Sequence, residues 1–110
     1  MGNSNKEVII LNELKWLKNW YLKHCDGDWE HYKRISISTL DNPGWTVDIN
    51  ISDTNLEDKK FNIVDIERSD ANWIYCNVKD NLFQGNGGVN NLEEILTIFK
   101  EWVIKNNEKD

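Results

Sequence analysis

From Lys33 to Ile51 the chain reads KRISISTLDNPGWTVDINI, with apolar and polar residues alternating on either side of Asp41-Asn42-Pro43-Gly44. A period of two marks strands with one buried face, and each of the four central residues favours chain reversal, so the stretch predicts a β-hairpin. Ile35, Ile37, Trp45, Val47, Ile49 and Ile51 share its dry face, and Arg34, Ser36, Ser38, Thr46, Asp48 and Asn50 its wet one.

A dry face needs cover, and two segments repeat with helical spacing. In the first, Ile10, Leu14, Leu17 and Tyr21 form a stripe widened by Trp16 and Trp20, with Lys15, Lys18, Asn19 and Lys23 outside it. Ser4 with Glu7 reads as a capping box and Asn12 as a later start, while Gly27 supplies a left-handed stop. In the second, Leu92, Ile95, Leu96, Phe99, Trp102 and Val103 make the stripe of a helix opening at Asn90 or Asn91. Glu93 and Glu94 suit its positive end, and the tail NNEKD is expected to fray.

Between these lie a polar connection, SDTNLEDKK, and a third strand over 61–68, where a bulge near Ile63 would reconcile two phases of alternation. A turn at Ser69 to Asn72 leads to a fourth strand, WIYCNVK. Ile74, Cys76 and Val78 then face the core, and Trp73 and Tyr75 face away. Leu82 to Gln84 adds a short fifth strand after a turn at Asp80-Asn81, and the glycine-rich stretch beyond it reads as a flexible link. The pattern predicts an α+β fold in one domain, residues 1–110: an antiparallel sheet of four or five strands in a meander, with an N-terminal and a C-terminal helix packed on one face.

Composition sharpens this. Six Trp, three Tyr and three Phe supply large buried areas from few residues. The formal charge of −6 argues against nucleic acid or anionic membrane as a partner, and the excess is local: residues 35–99 hold four basic and eleven acidic groups. Asp48, Asp65, Glu67, Trp73 and Tyr75 fall on the outer sheet face, which makes that face the leading interaction surface. Two cysteines without a dense spacing pattern fit a reducing compartment, and the first residues read as neither signal peptide nor membrane span, so a cytoplasmic location is expected.

The densest chemistry is His24-Cys25-Asp26-Gly27-Asp28-Trp29-Glu30-His31. As a calcium loop it fails, because His31 stands at the sixth position from Asp26 where glycine is needed, and as a zinc site it lacks a second close ligand pair. No metal and no cofactor are expected. Asp26, Asp28 and Glu30 instead form an acidic turn, the second candidate surface for a partner. Cys25 is the only candidate nucleophile, yet it sits at the carbonyl end of a helix among carboxylates, which disfavours a thiolate. Gly85-Asn86-Gly87-Gly88 before a helix lacks the Lys-Ser/Thr of a phosphate loop, and Glu93 and Glu94 would repel an anion.

Together, WLKNWYLKHCDGDWEHYKRISI, TLDNPGWTVDINI, IERSDANWIYCNV and FQGNGGVNNLEEILTIFKEW resemble the immunity protein 53 family, small bacterial proteins that neutralise toxins of polymorphic or contact-dependent systems. The resemblance runs from about Leu14 to Val103; the first dozen residues depart from it. It implies an α+β fold, no enzymatic activity and a cognate protein toxin as partner, bound stoichiometrically; apart from the resemblance, a monomer or weak homodimer is expected. The acidic charge independently suits a basic toxin, such as a nuclease, which must itself be basic to hold its substrate. Two other readings stand beside this one: a small thiol enzyme such as a sulfurtransferase using Cys25, and a homodimeric module whose Trp73 and Tyr75 face a second copy.

Overall fold

The computed structural model describes residues 3–108, with side chains from residue 13 to residue 107. Its elements are α1 (Asn3–His24), α2 (Trp29–Tyr32), β1 (Ile35–Leu40), β2 (Gly44–Asn50), β3 (Val64–Ser69), β4 (Asn72–Lys79), β5 (Leu82–Gly87) and α3 (Leu92–Glu108). The strands form one antiparallel sheet in the order β1-β2-β5-β4-β3. The expected α+β class holds, but the strand order departs from a plain meander at one junction, because β2 pairs with β5 and not with β3.

The hairpin forms with the expected faces, Ile35 lying opposite Ile49 and Ile37 opposite Val47. Val47, Ile49, Ile74, Cys76 and Phe83 make the buried face, covered by Ile95, Leu96, Phe99, Trp102 and Val103 of α3. Asp80 and Asn81 both adopt positive φ, 54° and 60°, giving the two-residue turn that matches strand twist in the β4–β5 hairpin.

Strand β5 is longer than the sequence suggests and lies at the centre of the sheet. Gly85, Asn86 and Gly87, expected as a flexible link, are strand residues paired with Val47, Thr46 and Trp45 on one side and Cys76, Tyr75 and Ile74 on the other. The glycines serve packing: a Cβ on Gly85 would lie 2.4 Å from Cγ2 of Ile95, and one on Gly87 would lie 3.0 Å from its Cδ1. Without side chains there, α3 settles directly onto the sheet.

The segment from Ile51 to Ile63 carries the chain from β2 to the far edge. It is less polar in role than in composition, since Ile51 and Leu56 are fully buried and Phe61 packs on the core. Two indoles hold it, Trp29 Nε1 donating to the Ser52 carbonyl and Trp102 Nε1 to the Lys60 carbonyl, both at 2.9 Å. Residues 61–63 are not strand, and the register irregularity lies between Glu67 and Ser69 instead of near Ile63. The phase conflict therefore ends with the strand starting at Val64.

Helix α1 begins at Asn3, just before the earliest expected start; the side chains of Ser4, Glu7, Ile10 and Asn12 lie outside the described residues. Its buried stripe is rotated from the expected one. Leu17 and Trp20 are buried with Trp16 packed beside them, whereas Leu14 is 48% exposed and Tyr21 39%. The indoles decide the rotation because they bury the most area: Trp16 and Trp20 stand edge-on to Phe99 at 6.1 and 5.1 Å. A half-buried ion pair, Glu13 to Lys100 at 3.0 Å, ties α1 to α3. Helix α3 continues to Glu108 and so takes in Asn106, Asn107 and Glu108 of the tail; Lys109 and Asp110 lie outside the described residues.

Replacing Gly85 by Ala should lower stability by about 1–3 kcal/mol through overpacking against Ile95. Denaturant unfolding monitored by tryptophan fluorescence measures it, and a cost near zero would show that α3 can shift away freely.

Candidate functional site

Among the described residues the helices pack on one face of the sheet and leave the other uncovered. Register places the polar side chains of successive strands in rows across it. One row runs Ser38, Thr46, Asn86, Tyr75, Asp65, the next holds Ser36, Asp48, Gln84 and Asn77, and Trp73 lies opposite Glu67 beyond the first. Asp65, Glu67, Trp73 and Tyr75 thus come together at the β3–β4 end, with Asp65 and Glu67 exposed, Tyr75 38% exposed and Trp73 half-buried.

Asp48 shares this face without joining that group. Strands β5 and β4 separate it from β3, roughly 14 Å at ordinary strand spacing. Asp65 and Glu67 stand two positions apart on one strand, about 7 Å along it, with no wall around them. The arrangement suits contact with a surface better than proton transfer within a cleft. Asn77, Gln84 and Asn86 also belong to this face, and sequence reading missed them because only the pairing of β5 on both sides brings them into its middle.

The acidic turn is built differently. The Asp26 carboxylate accepts from the amides of Asp28 and Trp29, at 3.0 and 2.9 Å. Glu30 reaches back to accept from the amides of Asp26 and Gly27, at 3.0 and 2.9 Å. These donors, Trp29 first, hold the Asp26 carboxyl below the usual range. Two of the three predicted carboxylates therefore close a loop, and Asp28 makes no capping bond. With Trp29 in the core, the turn sits on the helix side of the sheet, apart from Asp65 and Glu67.

The neighbouring His24 and Cys25 are engaged separately. His24 Nδ1 lies 2.9 Å from the Trp20 carbonyl with its ring against Trp20, and Cys25 Sγ donates to the Tyr21 carbonyl at 3.3 Å. Cys76 is sealed in the core, where burial, with a smaller contribution from the Glu94 charge, pushes its thiol up to about 12. Among the described residues no group of three His, Cys, Asp or Glu is placed to hold a metal ion, and no helix is long and apolar enough to cross a membrane.

A polar knot ties the β3–β4 turn to the start of α3. Arg68 grips Glu94 with both guanidinium nitrogens, at 2.8 and 3.2 Å, and donates to Asn72 at 2.9 Å. Buried Asn91 donates to Asn72 and Glu94 and accepts from the Trp73 amide. Sequence reading gave Glu94 only a helix-dipole role; its partner Arg68 lies on another element. The Arg68 hydrogen bonds hold the Glu94 carboxyl below its ordinary value.

A family model for immunity protein 53 matches residues 14–104. No curated protein and no solved structure matches the chain.

A depressed carboxyl contributes stability that is complete above its unfolded pKa and is lost as pH falls through its folded pKa. Arg68→Ala should therefore raise the Glu94 pKa and shrink its share of the acid-induced loss of stability, as followed by carboxyl NMR titration and acid unfolding. An unmoved Glu94 titration would contradict the pairing.

Proposed function

The chain belongs to the immunity protein 53 family, and on that footing we propose that it binds one cognate toxin and neutralises it by stoichiometric association, using the uncovered sheet face. Membership makes it an immunity protein whose partner class is a protein toxin. The observation that carries the choice of face is the grouping of Asp65, Glu67, Trp73 and Tyr75 at one end of an open, register-locked surface. Aromatic anchors beside carboxylates combine buried contact area with charge recognition. Thr46, Asp48, Asn77, Gln84 and Asn86 extend it with hydrogen-bonding groups.

The partner in this reading is basic, and a nuclease fits, because its substrate site must be cationic and a carboxylate-bearing inhibitor speeds encounter. The work is done in the cytoplasm, beside the target that such a toxin would attack. The acidic turn ranks second, since Asp26 and Glu30 already accept backbone amides and only Asp28 is left for a partner.

Changing Asp65→Lys and Glu67→Lys together should weaken binding of the cognate toxin by roughly tenfold or more at low salt, with the fold retained. Calorimetry and circular dichroism read the two effects, and unchanged affinity would place the contact elsewhere. Alkylating Cys25 tests the thiol-enzyme alternative: neutralisation should survive it, and loss of neutralisation in a folded, toxin-binding sample would favour that alternative.

A further inference from the structure

The two edges of the sheet are treated differently. The outer strand β3, VDIERS, carries Asp65, Glu67 and Arg68 and a register irregularity, devices that discourage pairing with another chain. The outer strand β1, ISISTL, has no charge, no proline and no irregularity in its register with β2. The helix layer also stops short of it, so that Ile37, on the core side, is 37% exposed. Tyr21 of α1 is exposed as well, and a groove of about 550 Å³ opens where α1, α2 and the start of β1 meet, with Leu17, Tyr21 and Ile35 along it and Lys18, Glu30 and Arg34 in its charged lining.

The backbone phase of this edge is fixed. Asn50 donates to the Arg34 carbonyl, so Arg34, Ser36 and Ser38 turn their amides and carbonyls toward β2, and Ile35, Ile37 and Thr39 turn theirs outward. An antiparallel copy of β1 centred on Ile37 satisfies every outward group at once. Ile35 pairs with Thr39 of the second copy, Ile37 with its own counterpart, and Thr39 with Ile35. Just outside the ladder, Lys33, extended before β1, comes near Asp41 of the second copy, which opens the turn after β1, and Asp41 comes near its Lys33. Both ends are charge-complementary, and the acidic excess of the chain lies on other elements.

We propose that this chain self-associates through β1, edge to edge and centred on Ile37, to give one continuous sheet across a two-fold axis. Paired residues in such a ladder point to the same side, so the helices of both copies lie on one face, with Ile37 of each copy at the axis and Tyr21 in the groove beside β1. The outer face proposed for the toxin stays open on the other side. The association is independent of toxin binding, and its test requires no toxin.

Sedimentation velocity of the full chain over a wide concentration range should show a monomer passing to a dimer. Ile37→Lys puts like charges against each other at the axis and should abolish the dimer with the fold intact by circular dichroism. Lys33→Asp and Asp41→Lys should each weaken self-association roughly tenfold by opposing like charges at both ends. Mixing these two variants should restore association as a heterodimer, because each then meets its opposite charge. Failure of the mixture to associate, a monomer at every concentration, or a dimer that survives Ile37→Lys and dissolves on Trp73→Ala would each overturn the proposal.

Discussion

The approach of Ile95 to the floor formed by Gly85 and Gly87 is the constraint from which the rest of the architecture follows. A helix can rest this closely on a sheet only where the strand beneath has no side chains, and that strand must then be central. Once α3 is seated there, its stripe meets Val47 and Ile49 on one side of β5 and Ile74 and Cys76 on the other. Helix α1 is left to pack mainly on α3, with Trp16 and Trp20 against Phe99. The helix layer is consequently centred over the middle of the sheet and thin above β1.

Tryptophan plays a second part beyond filling space. Trp29 and Trp102 each place an indole in the core while the ring N–H satisfies a carbonyl of the crossing segment, and Trp45 does the same for the Val89 carbonyl before α3. A backbone path that leaves regular structure thereby loses few hydrogen bonds. This lets the chain cross from β2 to the far edge past the β4–β5 turn and the C-terminal half of α3, leaving the outer face bare.

Much of the fold was legible because alternation survives in β1, β2 and β4, where Ile35, Ile37, Val47, Ile49, Ile74, Cys76 and Val78 share the core side. The extent of β5 was not, since glycine signals a turn in sequence and the reason for it here is a helix distant along the chain. The phase of α1 was also ambiguous, because the stripe through Leu14 and Tyr21 overlaps the one through Trp16, Leu17 and Trp20. At the candidate site, Asp65, Glu67, Trp73 and Tyr75 followed from the period of two. Asp26 and Glu30 look in sequence like solvated carboxylates and turn out to accept amides, a role that depends on loop geometry.

The junction between β2 and β5 splits the sheet into two pieces of different kinship. One piece is a hairpin and the other a run of adjacent strands, and each closes over short spans of chain. The seam joining them, where Trp45 meets Gly87, closes over a long one, so most of the loop-closure entropy of the sheet is concentrated along a single line. Whatever couples the two pieces into one unfolding unit acts across that line, through the β2–β5 ladder and through α3, which rests on both.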